Sequence, residues 1–472
     1  MRYIVAKFGG WANASADRVK KAADLFESNP KRKIKVNSAI GKVEGLPKVT
    51  DLLIEGSEKA LSEGKFPDDI FEKIQLNHYA VFEPLGLSKN KIDETLDILR
   101  KYIARKDELS PDHYRALVVG AGEEMFSRLD AIYMKEIRKL DAQYVDPREI
   151  GHILSGHPLD GKITEEAYEN LAKLNDCKGI VVYPGFFAAD EKGLPMLYSR
   201  GGTDKTAADI SAAINAEIYE NWKDVDGILS ADPRIVDHPE MMDEVTYKEI
   251  RELSYISFNV LHQEAMLPVM KANIPINLKN LLKPDSKGTM IVNERRIKPD
   301  RPVIGIAHKE NMCFAIVEKI LMNEEIGFAE WLLSLFEEHQ INIEQITTGI
   351  DSMSVIIPQK QFEQKTIHLG VMEGVRNKID LDDFAAYVKK TLNADSFIIK
   401  KNKAVVCVVG EGMRKSIGLT ARVAKVLADN DINMEIIDQG PSERNIIIGV
   451  DCSKDPDAGK KAVNVIYNEF FK

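Results

Sequence analysis

Residues 6–26, AKFGGWANASADRVKKAADLF, set a lysine and two glycines at the end of an apolar run and open a helical pattern directly behind them. Lys7 closes the run, Gly9 and Gly10 mark a turn, and Ser15 or Asp17 stands where a helix cap belongs. Glycines let backbone N–H groups approach a phosphate, a helix N-terminus favours an anion through its dipole, and a lysine supplies a point charge. The stretch lacks the G-x-x-x-x-G-K-[ST] spacing of a P-loop, so taken alone it favours a structural turn.

The same rhythm of short apolar runs and longer amphipathic segments recurs in KIKVNSAI (33–40), YRALVVGAGE (114–123), KGIVVYPGFFA (178–188) and AEIYENWKDV (216–225). Read as strands alternating with helices, the first 295 residues predict an α/β domain with an open, largely parallel sheet sandwiched by helices. Ligands in such sheets collect at the C-terminal ends of the strands. Residues 281–305, LLKPDSKGTMIVNERRIKPDRPVIG, are rich in proline, glycine and charge, which predicts a domain boundary near residue 295.

Beyond the boundary the pattern repeats. The segments beginning at Cys313 and Ala404 each run strand, glycine loop, helix, Ile-Asn turn, strand, hairpin, strand, with Gly327 and Gly418 just ahead of the helices. Two ferredoxin-like βαββαβ modules follow, over 303–400 and 401–472. They resemble the ACT domain, a small-ligand sensor that pairs through sheet edges or helices.

The chain of 472 residues is long enough for more than one core, and its net charge of −10 gives no footprint for nucleic acid or an anionic membrane. No apolar stretch reaches the roughly 18 residues of a membrane span. The four cysteines lie far apart, mostly in apolar runs, and suit buried thiols better than disulfides. Small metabolites are the expected partners and the cytoplasm the expected location. The nine histidines are scattered, and HILSGH (152–157) lacks both helical spacing and a third ligand, so no metal beyond nucleotide-bound magnesium is expected.

Three further clusters carry chemistry. In NSAIGKVEGLPKVTDLL (37–53), Ser38, Gly41, Thr50 and Asp51 suit recognition of a small acid, and equally a plain loop with Thr50 as helix cap. In VVGAGEEMFSRL (118–129), a strand is expected to turn through Gly120 and Gly122 into a helix, with Glu123 binding a substrate ammonium or only stabilising the first helical turn. In YSRGGTDKTAADISAAI (198–214), Arg200 precedes two glycines, and Thr203 and Asp204 open a small-residue helix whose N–H groups can face an anion. The loop within 220–236 follows, where Asp224, Asp226, Asp232 and Arg234 suit either nucleotide phosphates with magnesium or a solvated acidic loop.

With KFGG, SAIGK, KVTDLL, GAGE, SRGGTD, DVDGILSADPR and LPVMKANIPINLKN in this order, the whole chain resembles the aspartokinases of the amino acid kinase superfamily, which carry two C-terminal ACT domains. The resemblance implies phosphorylation of the side-chain carboxylate of L-aspartate by MgATP. Lys7 would neutralise the transferring phosphoryl group, Gly9 and Gly10 would approach it, and Asp204 would organise the lysine. Arg200 and Glu123 would read the α-carboxylate and α-amino groups of aspartate, with Ser38 and Thr50 on the same substrate. Lys223, Asp224, Leu229, Arg234 and Asn259 would stand on the nucleotide. In the first ACT module, Met322, Gly327, Phe328 and Ala329 would line one side of an effector pocket, and Asn342, Ile343, Glu344 and Thr348 the other. Lysine is the first expectation for the feedback inhibitor and threonine the second, and a homodimer through the ACT domains is expected, with a tetramer open.

Three departures stand out. Trp11 and Ala12 replace two hydroxyl residues of the family pattern, Leu229 replaces a tyrosine, and Asn259 and Gln263 replace a lysine and a proline. They imply weaker or shifted ATP binding. They also keep open a catalytically weak amino-acid sensor or another amino acid kinase.

Overall fold

Alternation along the first strand, Ile4–Phe8, sends Val5 into one buried core and Ala6 and Phe8 into another, on the opposite side of the sheet. Lys7 shares the side of Val5, which is why its ammonium meets the helix Gly202–Ala213 packed there. The computed structural model describes residues 2–199, 201–256, 263–298, 300–363, 365–369, 372–376 and 378–472. Arg200 and Asn259 therefore lie outside the described residues.

Among the described residues the N-terminal sheet has eight strands. In spatial order they are Glu244–Thr246, Thr289–Val292, Ile276–Asn280, Ile218–Lys223, Ile4–Phe8, Arg32–Asn37, Ile180–Pro184 and Ala142–Tyr144. Every neighbouring pair is parallel except Ile276–Asn280 with Thr289–Val292, so the open, largely parallel sheet is as expected. Helices cover both faces, and the first strand lies near the middle, its C-terminal end flanked by those of Arg32–Asn37 and Ile218–Lys223.

The stretch 114–123 corrects the sequence reading. It is not a strand but part of the helix Pro111–Ile132, capped by the Ser110 hydroxyl, which accepts from the N–H of His113. This helix is buried nearly all round through its middle, so its sequence shows no amphipathic period, and its valines imitate a buried strand. Gly120 and Gly122 make no turn there. A Cβ on Gly120 would stand 2.9 Å from Phe187 Cβ, and one on Gly122 3.0 Å from Ala39 Cβ, so the two glycines thin the helix where other elements cross it.

In the C-terminal part, six strands form one antiparallel sheet in the order Gln345–Thr348, Ser352–Pro358, Gly305–Glu318, Ser396–Val409, Asn445–Asp451, Met434–Asp438. The two central strands, each of 14 residues, run through both repeated units. The boundary expected between residues 400 and 401 falls inside Ser396–Val409. Residues 305–309, at the start of the first expected module, pair with 405–409 and so complete the sheet of the second. Asn311 and Asn402, both at positive φ (57° and 56°), lie where the pairing of the two long strands shifts register. One face of this sheet carries the module helices; the other shares a core with Ile250 and Leu253 of the N-terminal helix Tyr247–Ile256 through Ala307, Phe314, Val405 and Cys407. Among the described residues no helix is long and apolar enough to cross a membrane.

Candidate active site

The geometry centres on Lys7. Its Nζ lies 2.7 Å from Asp204 Oδ1, both side chains being largely buried. Asp204 stands in the first turn of Gly202–Ala213, whose cap Gly201 has φ +77°. A Cβ on Gly202 would come within 2.4 Å of Phe186 Cδ2, so the pair Gly201–Gly202 satisfies a left-handed turn and a close approach in succession. Asn221, paired with Lys7 in the sheet register, donates from Nδ2 to Asp204 Oδ1 at 2.9 Å. Burial opposes ionisation of Asp204, but Lys7, Lys223 and the hydrogen bonds from Lys7 and Asn221 outweigh it and hold the carboxyl down at about 2. Burial also pushes the Lys223 ammonium down, as does repulsion from Lys7, while Asp204 and Asp224 act the other way.

The other clusters converge on this point through the backbone. The N–H of Ser38 donates to the carbonyl of Phe8 at 3.0 Å, and Asn13 Nδ2 donates to the Ser38 carbonyl at 2.7 Å. Gly10 lies flat on Gly41: the N–H of Gly41 donates to the Gly10 carbonyl at 2.9 Å, and a Cβ on Gly41 would stand 2.5 Å from Gly10 C. A Cβ on Gly9 would sit 3.4 Å from Lys7 Nζ, so this glycine clears space beside the ammonium. Residues 10–13 form one short helical turn behind these glycines, and the longer helix Ala16–Ser28 starts after Ser15, whose side chain makes no capping bond.

Glu123, in the middle of its helix, is 3% exposed and receives the Ser38 hydroxyl at a long 3.5 Å on Oε1. Oε2 is buried and accepts no hydrogen bond from the described residues. Burial pushes its carboxyl up to about 7, against the N–H groups of Ala39 and Glu123 and the Ser38 hydroxyl. A carboxyl whose ionisation burial resists, with an unused oxygen, is suited to a cationic partner supplied from outside. Thr50 lies in the first turn of Val49–Glu63, which begins after Lys48, so Thr50 is not the cap.

The loop after Ile218–Lys223 presents Asp224 exposed. Asp226 is tied to Asn280 and Lys283 at 2.6 and 2.7 Å. Leu229 bridges to Met241, and Arg234 folds back on Asp232 at 2.6 Å with its side chain 87% exposed. In the first C-terminal module, Met322 and Phe328 are core residues, and Gly327 (φ +87°) precedes the helix Phe328–Glu338. Ala329, Asn342 and Thr348 are exposed, and Ile343 packs at the edge of the core. Glu344 is already paired with Lys309 at 2.7 Å, and its carbonyl accepts from Tyr255 of the N-terminal domain at 2.5 Å.

Asn221 was not found from sequence, although a polar side chain within the apolar run IYENW, one turn of the pleat before Lys223, was the signal. Arg18, whose guanidinium lies 4.4 Å above the Trp11 ring, had no signal at all.

Comparison with known proteins gives the family of the chain. The amino acid kinase family model matches residues 2–280, and an ACT domain model matches residues 406–470. Aspartokinase 3 of Bacillus subtilis (strain 168) is 35% identical over 468 residues, covering 99% of this chain and 98% of that protein. The chloroplastic aspartokinase 1 of Arabidopsis thaliana is 29% identical over 483 residues, covering 99% and 80%. The crystal structure of Clostridium acetobutylicum aspartate kinase, described as an allosteric enzyme, superposes with a TM-score of 0.84 at 33% identity, covering 99% of this chain and 100% of that one. Aspartokinase III of E. coli, solved with aspartate and ADP, shares the fold at a TM-score of 0.72 and 23% identity, covering all of both chains. The chain belongs to the amino acid kinase family, the class that the parallel sheet and its lysine-centred strand ends define. Within that family it is an aspartokinase, a kinase whose acceptor is a carboxylate.

Proposed function

We propose that the chain transfers the γ-phosphoryl group of MgATP to the side-chain carboxylate of L-aspartate, giving 4-phospho-L-aspartate and ADP. The observation that carries this reading is the buried Lys7–Asp204 pair at 2.7 Å together with the unpartnered Oε2 of Glu123, a carboxyl linked through Ser38 to the strand that carries Lys7. A side-chain carboxylate oxygen of aspartate attacks the γ-phosphorus in line with the bond to the β-γ bridging oxygen, which leaves on ADP. The protein's task is positioning and charge neutralisation. Lys7 neutralises the phosphoryl oxygens, Gly9 and Gly10 admit them, and Asp204 with Asn221 fixes the lysine. Glu123 takes the α-ammonium of aspartate, Arg200 its α-carboxylate, and Ser38 and Thr50 complete the substrate contacts. Lys223, Asp224, Leu229, Arg234 and Asn259 hold the nucleotide, and magnesium arrives with it. The E. coli relative solved with aspartate and ADP supports the pair of substrates.

The C-terminal modules regulate this reaction by binding an amino acid, with lysine first and threonine second, in a cytoplasmic enzyme that opens lysine, threonine and methionine synthesis. A lysine complex of E. coli aspartokinase III supports that ligand class. The set around Gly327 and Glu344 forms the pocket, and an effector amine displaces Lys309 from Glu344. The exposed Ile326 (95%), Ile350 and Ile417 on the modules support self-association into a homodimer. Trapping the acyl phosphate as a hydroxamate tests the reaction: aspartate-dependent product, absent with glutamate, is expected, and no product with aspartate refutes it. Titrating lysine and threonine into the same assay identifies the effector.

A further inference from the structure

Trp11 follows the glycine pair directly, in the single helical turn Gly10–Asn13 that touches the strand Ile218–Lys223. It is partly buried against the N-terminal core. Arg18, three residues into the helix Ala16–Ser28, lays its guanidinium over the indole at 4.4 Å. Among the described residues no carboxylate lies within ion-pair distance of Arg18. Burial pushes its guanidinium down and the charge of Asp224, at the start of the 223–234 loop, pushes it up, so the group lies within electrostatic reach of that loop. A stacked guanidinium keeps its five N–H donors in a plane clear of the ring, where paired bonds to phosphate oxygens form. A tryptophan at this position loses the hydroxyl that the family pattern supplies, and its flat face gives a cation a fixed seat instead.

We infer that Arg18 is a phosphate-binding residue for ATP in this chain and that Trp11 is the positioning residue that holds it. The inference rests on the nucleotide seating between Lys7–Gly10 and the 223–234 loop. A strongly hydrated lysine in the place of Arg18 would lack both the stack and the fork. Among the described residues Lys7 is paired with Asp204 and Lys223 lies in the field of the same carboxylate, whereas Arg18 has no carboxylate within ion-pair distance.

The test is steady-state kinetics with ATP varied at saturating aspartate and the reverse, together with calorimetric titration of MgADP, on Arg18→Met, Arg18→Lys, Trp11→Phe, Trp11→Thr and Lys7→Met. Arg18→Met is expected to raise the KM for ATP about tenfold, as loss of hydrogen bonds between charged groups does. The KM for aspartate should stay within about twofold. Arg18→Lys should recover part of the loss, Trp11→Phe should keep the ATP KM near wild type, and Trp11→Thr should shift it in the direction of Arg18→Met. An unchanged KM for ATP in both Arg18 variants, or an equal rise in both Michaelis constants, overturns the proposal. Should Arg18→Met not fold, Arg18→Lys decides alone, since a wild-type ATP KM there excludes a role for the guanidinium. Lys7→Met separates the two readings: if it weakens MgADP binding while the Arg18 variants do not, only the Arg18 assignment falls, and if it does not, the nucleotide seat itself is misplaced.

Discussion

Replacing Glu123 by glutamine keeps the shape of the side chain and removes its charge. The native carboxyl titrates at about 7 against an ordinary 4.5, because burial disfavours its ionised form. The raised value means that the native state holds its proton longer than the unfolded chain does. Stability contributed by this group is therefore full below pH 4.5, falls as pH rises towards 7, and stays lost above it. At about 1.4 kcal/mol per pH unit the loss comes to about 3 kcal/mol. Glutamine carries no such cost, so the variant should overtake the ligand-free wild type as pH rises, by roughly 5 °C in melting midpoint at pH 8 for a domain of this size. Aspartate reverses the order. Its ammonium restores the carboxylate, so binding at pH 6 releases close to one proton and at pH 8.5 almost none, which calorimetry in two buffers of different ionisation enthalpy measures. The variant should release none and bind aspartate about a hundredfold more weakly, the cost of a lost buried ion-pair partner. Melting midpoints of wild type and Glu123→Gln that run parallel from pH 5 to 8.5 would refute the reasoning.

Other outcomes follow from the same geometry. Asp204→Asn should lower kcat about a hundredfold, as loss of a preorganised charge does, with little change in the KM for aspartate. Because Asp204 is held at about 2, the acid limb of the wild-type pH profile should not come from it, and the limb should persist in the variant. Gly41→Ala drives a methyl group to 2.5 Å from Gly10 C and should cost about 1–3 kcal/mol of stability, read as a lower melting midpoint. Glu344→Gln, which breaks the pair with Lys309, should raise the lysine concentration for half-inhibition about tenfold, the worth of a hydrogen bond to a charged group, in the hydroxamate assay.

Much of the fold was legible because Ile4–Phe8 is a short apolar run closed by glycines and Arg32–Asn37 alternates polar residues with Ile34 and Val36, the period of a strand. The helix Pro111–Ile132 was misread because burial on nearly every side erases helical periodicity, and its glycines, chosen for close packing against Phe187 and Ala39, looked like a turn. The repeat beyond residue 303 was visible, but not the strand that residues 305–309 lend to the second unit, since pairing across about a hundred residues leaves no local mark. Lys7 and Asp204 were each suspected from their glycines, and only the parallel register of the first strand with Ile218–Lys223 brings Asn221 to them. The pairing of Glu344 with Lys309 was invisible for the same reason, because it joins side chains from separate elements.

The most direct test of the central assignment follows the phosphorus itself. With ATP, magnesium and L-aspartate, phosphorus NMR of the wild type should show an acyl phosphate growing with ADP. Lys7→Met should bind aspartate with near wild-type affinity by calorimetry and form that resonance at least a hundredfold more slowly, the scale of a lost charge-stabilising donor. An acyl phosphate formed at the wild-type rate by Lys7→Met would contradict the site described for this chain.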